Sequence, residues 1–220
     1  MNPRRLFTVL GPACLAGLLA SAAGAPAVAS VPPSEETITA GLNALLDELG
    51  TVTYEGDDIT IGECPLVDDA ATMTAFAAVA DDVDLAAEEE AQIEMFVEYE
   101  MDQEFEPAGV SCNFEATADD ADLEAIGILL LDPEGDGVSD VLESLTSTLE
   151  PDDADEALAI GGELRGACVE HECLFLWSGG GAVVAVSVEF GDEAAPDVEA
   201  VTAATRELVT TVAGNVAERA

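Results

Sequence analysis

ELRGACVEHECLFLWSGGGAVVAVSVEF, residues 163–190, decides the fold. Leu164 to Val169 and Leu174 to Trp177 are apolar runs of strand length, and Cys168 and Cys173 bracket the Val-Glu-His-Glu between them. That spacing suits two neighbouring strands of a tight hairpin. Ser178-Gly179-Gly180-Gly181 then turns the chain into Ala182 to Phe190, with β-branched valines at 183, 184, 186 and 188. Strands joined by turns this short pair antiparallel, because a parallel return needs a long crossover.

Downstream, Pro196 opens a last helix whose Val201, Thr205, Leu208, Val209, Val212 and Val216 mark one face. Upstream, Ile126 to Leu131 is an apolar run of strand length, followed by a helix over Val138 to Leu149. Val110 to Ala116 reads as a strand; Asp81 to Glu106 is so acidic that only the alternation of Ile93, Met95, Val97 and Tyr99 gives it a strand-like cast. Asp68 or Asp69 caps a second helix with Met73, Phe76, Ala77 and Ala80 as its buried stripe. Thr51 to Tyr54 and Ile59 to Ile61 are short strands around Gly56-Asp57-Asp58, and Ile38, Leu42, Leu45, Leu46 and Leu49 repeat at helical spacing. The expected fold is α+β, a single domain in which N- and C-terminal helices pack on an antiparallel sheet held by two disulfides.

Residues 1–29 read as a cleaved signal peptide, 30–50 as an N-terminal helix and 51–220 as the disulfide-stapled domain. Arg4 and Arg5 form a positive n-region, Leu6 to Ala20 an apolar stretch, and Ala27-Val28-Ala29 before Ser30 an A-x-A cleavage site. Arg4-Arg5-Leu6-Phe7 also resembles a twin-arginine signal, which leaves the export route open. Cleavage leaves four cysteines, Cys64, Cys112, Cys168 and Cys173, an even number that reads as two disulfides in an exported chain. Three connectivities are possible, and the hairpin spacing pairs Cys168 with Cys173, leaving Cys64 for Cys112. A zinc site of His171 with the thiolates is the rival, but its spacing matches no standard zinc knuckle.

All 47 acidic residues follow residue 29, so the remaining 191 residues carry three arginines, no lysine and a net charge of −44. With 49% of residues apolar, this is no disordered acidic tail. Three arginines cannot build a basic patch, which argues against nucleic acid and against an anionic membrane surface as partners. Adaptation to a saline or alkaline exterior explains the total lack of lysine better than acidic drift.

Against this background one motif stands out. Asp132-Pro133-Glu134-Gly135-Asp136-Gly137-Val138-Ser139-Asp140-Val141-Leu142-Glu143 puts carboxylates at positions 1, 3, 5, 9 and 12 of a twelve-residue loop, with glycine at 6. Asp132, Glu134, Asp136, Asp140 and Glu143 are therefore candidate calcium ligands, since spaced oxygens and a sharp glycine turn are what an EF-hand-like loop requires. The competing reading is a turn that caps the next helix. Trp177 is a candidate wall of a ligand pocket, set against the commoner reading of a core residue. Catalytic patterns are weak: His171 is the one histidine and sits in a six-residue disulfide loop, and among 47 acids a carboxylate pair carries no specificity.

Cys64-Pro65-Leu66 before a helix, Cys112-Asn113-Phe114 in a strand, and Gly162 to Cys168 leading through a glycine turn to a valine-rich strand and closing helix resemble a known layout. It is similar to the cysteine-bearing secreted and lipoprotein domains of unknown function from mycobacteria and related actinobacteria. Those are in turn similar in layout to the extracellular sensor domain of a mycobacterial serine/threonine kinase. The resemblance covers about residues 50 to 217 and implies an extracellular binding or sensing module, with a small ligand or cell-envelope component as partner and no catalytic residues. A calcium-stabilised structural or adhesion protein is the alternative function, and a small secreted hydrolase a third.

The charge sets a first prediction. Salt shortens the Debye length from about 10 Å at 0.1 M to about 3 Å at 1 M and so relieves self-repulsion. The melting temperature of the cleaved chain is expected to rise steeply between low salt and 1 M NaCl; a flat profile contradicts the adaptation reading.

Overall fold

The computed structural model describes residues 32–51, 60–79, 85–87, 91–94, 106–116, 122–149, 156–191 and 196–220. The expected signal peptide, the strand expected at 51–54 apart from Thr51, and most of 81–106 lie outside these residues. Among the described residues the elements run α1 (Glu35–Gly50), β1 (Thr60–Ile61), α2 (Asp69–Phe76), β2 (Leu85–Ala87), β3 (Ala91–Glu94), β4 (Gly109–Ala116) and β5 (Leu123–Leu131). They continue with α3 (Val138–Ser147), β6 (Glu156–Ala157), β7 (Glu163–Val169), β8 (Glu172–Gly179), β9 (Ala182–Phe190) and α4 (Val198–Ala217).

All strands belong to one antiparallel sheet in the order β1-β3-β4-β5-β9-β8-β7-β6, with β2 also pairing β4. The turn chemistry of residues 163–190 sets its right half. Gly179 pairs with Ala182, so Gly180 and Gly181 alone make the turn, with φ of +59° and +66°. Both torsions are left-handed, which glycine adopts without steric cost and which matches the twist of the flanking strands. At the β7–β8 turn Val169 pairs with Glu172, and Glu170 takes φ +56°, a left-handed torsion uncommon for a side chain of its size.

Strand alternation sends side chains to two faces. On the front face, Ile126, Ile128, Val184, Val186, Phe175 and Trp177 are among the residues of one large core. A register shift between Leu123 and Ala125 adds a residue to β5, so Leu123 and Ile126 both reach that core instead of alternating away. α1 and α4 cover this face. The apolar stripe expected of α4 is buried in full, and the helix starts at Val198 because Asp197 takes the cap, accepting the Glu199 and Ala200 N–H groups.

α1 is no appendage to the domain. Its Ile38, Leu42, Leu45, Leu46 and Leu49 enter the same core as the sheet. Two contacts hold it there. Thr39 Oγ1 donates to the Gly180 carbonyl at the β8–β9 turn, and Gly41 passes so close to α4 that a Cβ at this position would stand 1.9 Å from the Val216 carbonyl oxygen. At the far end of α4, Arg219 donates to Glu48 at 2.9 Å and to the Pro65 carbonyl at 3.2 Å, while Asn215 donates to the Leu66 carbonyl at 2.8 Å.

The Pro65-Leu66 segment is also tied covalently. Cys64 is bonded to Cys112 of β4, Cα atoms 5.7 Å apart, and Cys168 to Cys173, directly opposite in the β7–β8 ladder. In the chain-entropy account the long loop contributes about 4 kcal/mol and the short one about 2. Both pairings agree with the hairpin spacing. α2 differs from expectation: it ends at Phe76, with Thr72, Ala75 and Phe76 buried and Ala77 exposed. Asp68 caps it by accepting the Ala71 N–H; Met73 is half-buried against the core, and Ala80 lies outside the described residues.

α3 packs on the opposite, back face. Leu131, Leu176, Val183 and Ala185 form a second, smaller core with Val138 and Leu149, flanked by half-buried Val141, Leu142 and Leu145. The helix stops at Ser147, two residues short of the expected Leu149.

Candidate functional site

α3, ten residues long, packs over Leu131, Leu176, Val183 and Ala185 of the back face. Where it ends, a groove of 390 Å³ opens between its C-terminal side and the β7–β8 hairpin. Ala167, Leu174 and Ser187 form the floor, Thr148 and Leu149 one wall, and Val169, Glu172 and Glu189 the rim. Val169 is 67% exposed, which for a valine at a hairpin tip leaves apolar surface facing solvent beside the opening. Among the described residues no arginine or histidine lines it.

The sequence carried a signal for this place that periodicity alone does not isolate. On β9, the back-face positions 183 and 185 are apolar while Ser187 and Glu189 are polar. The parity is constant but the covering changes: α3 lies over the first pair and not over the second.

The calcium-ligand candidates adopt the turn geometry instead. Asp132 Oδ1 accepts the Glu134 N–H at 2.9 Å, its carbonyl accepts the Gly135 N–H at 3.0 Å, and Gly137 starts α3 with φ +78° and no side-chain cap. The chain enters this loop from β5, not from a helix. Among the described residues no three His, Cys, Asp or Glu side chains converge as a metal site, so Asp132, Glu134, Asp136, Asp140 and Glu143 are not gathered about a common point.

Trp177 is a core residue, not a pocket wall. It is fully buried, and its indole N–H donates to the Gly161 carbonyl at 3.0 Å, fixing the turn that leads into β7. Cys168 and Cys173 are bonded to each other, which removes the thiolates a zinc site with His171 requires. His171 sits in the β7–β8 turn, where its carbonyl accepts the Phe190 N–H at 2.8 Å. One buried polar atom stands out: Thr205 Oγ1, on the core side of α4, has no hydrogen-bond partner.

Two disulfides imply an oxidising environment, and no helix among the described residues is long and apolar enough to cross a membrane. Comparison with protein families, with characterised proteins and with solved structures finds no match.

The loop geometry predicts the response to calcium. Millimolar Ca²⁺ is expected to shift the melting temperature of the wild type and of the Asp132→Ala/Asp136→Ala variant equally, through diffuse screening. A shift confined to the wild type, persisting against excess Na⁺, would show a specific site after all.

Proposed function

We propose that this protein is an exported binding or sensing module that works outside the cell, without catalysis, and takes small ligands in the back-face groove. The groove carries the reading: a largely apolar lining, Leu149, Ala167 and Leu174, with a few polar groups, Ser187, Glu172 and Glu189, is how small-molecule sites are commonly built, and 390 Å³ falls within their usual range of about 300–1,000 Å³. Export is supported by the signal-like residues 1–29 and by the two disulfides. The extreme charge fits a saline exterior, which the cell does not buffer. Catalysis has little support, since among the described residues Thr148 and Ser187 are the hydroxyls lining the groove and no histidine lies there to activate them.

The test uses a neutral probe. In 1 M NaCl, 4-phenylbutanol followed by NMR is expected to perturb the amides of Ala167, Leu174 and Ser187. Ala167→Phe, which fills the floor, is expected to weaken binding at least tenfold. Equal binding by both proteins, or perturbation spread over other faces, removes the groove as a site.

A further inference from the structure

Resting on that reading, we infer that the groove selects amphiphilic cations, molecules with an apolar body and one positively charged head. The rim supplies the argument. Glu172 and Glu189 lie directly opposite each other in the β8–β9 ladder, on the same face as Leu174 and Ser187. Directly opposed residues have Cβ atoms only about 4.5–5.5 Å apart, and like charges in that relation destabilise a sheet. Both carboxylates stand at the mouth of an apolar groove, whose low-dielectric wall strengthens their joint field.

The chain offers them little compensation. Of its three arginines beyond residue 29, Arg219 is bound to Glu48 and Arg206 is carried by α4 on the front side. Arg165 shares the back face but pairs with Leu176, four residues along β8 from Glu172, a distance of about 13 Å at the rise of a strand. A cationic head between Glu172 and Glu189 would relieve their repulsion while its apolar body covers Ala167 and Leu174. Anions are disfavoured by the same field. A second copy of this chain is disfavoured too, because it brings a net charge of −44 beyond residue 29 and no basic patch. A divalent cation alone finds two carboxylates here and, among the described residues, no third His, Cys, Asp or Glu that converges with them as a metal site.

The test compares 4-phenylbutylammonium with neutral 4-phenylbutanol in 1 M NaCl, where diffuse attraction is screened over about 3 Å. The wild type is expected to bind the cation at least fivefold more tightly than the alcohol. Glu172→Gln/Glu189→Gln is expected to bring the ratio to about one while the alcohol binds as before. A control removing two charges elsewhere, Glu199→Gln/Glu207→Gln on α4, is expected to keep the preference. If the wild type binds both probes alike, or the α4 control loses as much as the rim variant, selectivity for cations is overturned while the groove remains a site. If neither probe binds, the groove reading itself falls, a different outcome from the first two.

Discussion

The close crossing of α1 over α4 is the contact on which the remaining structure depends. A chain with 47 acids and three arginines beyond residue 29 has little electrostatic cohesion to draw on, and the ion pair of Arg219 with Glu48 is a surface pair worth at most about 1 kcal/mol. Cohesion must come from buried apolar surface. The front face of the sheet supplies it, with α1 lying against β9 and α4 against β8 and β7, an arrangement that needs the two helices side by side. Gly41 makes that possible: with no side chain at 41, the Val216 carbonyl of α4 can rest against the backbone of α1. From this contact follow the burial of Leu42, Leu45 and Val212, the docking of Thr39 on the β8–β9 turn, and the clamp of Asn215 and Arg219 on the segment next to Cys64.

The disulfides reinforce the same closure from the sheet side. Cys112 lies on the front face of β4 and holds Cys64, whose neighbours Pro65 and Leu66 receive the α4 side chains. Covalent and apolar restraints therefore meet in one region, and neither weakens when salt is low. The extreme charge is left to act on the exterior, where it governs solubility and response to ionic strength.

Much of this was legible in the sequence because local chemistry and the final fold agree. A glycine run between apolar runs, a cysteine pair six residues end to end, and helical stripes on α1 and α4 each name their own structure, although Ser178 and Gly179, expected in the turn, extend β8 instead. What was not legible depends on partners distant in the chain. Gly41 in a helical pattern reads only as a loss of helix propensity; nothing local announces the carbonyl of Val216. The extra residue in β5 follows from pairing with β9, and Trp177 looks the same by pattern whether it lines a pocket or fills a core. The groove was least legible, since it results from how far α3 extends over the sheet, which the strand sequences do not record. The spacing of Asp132 to Glu143 has two readings for the converse reason: in so acidic a chain a ligand-like pattern also arises from a helix-entry turn, the geometry this loop adopts.

The most direct test of the closure is the thermal stability of Gly41→Ala in 1 M NaCl. Helix propensity alone would favour alanine by about 1 kcal/mol. Because the obstructing atom is a backbone carbonyl, steric overlap should cost about 3 kcal/mol, the top of the usual overpacking range, and so leave a net loss of about 2 kcal/mol. The account predicts a melting temperature lowered by roughly 4–8 °C, the shift that about 2 kcal/mol produces in a domain of this size. An unchanged or raised melting temperature would contradict it, showing that α1 does not lie against α4 in the way on which the fold is argued to depend.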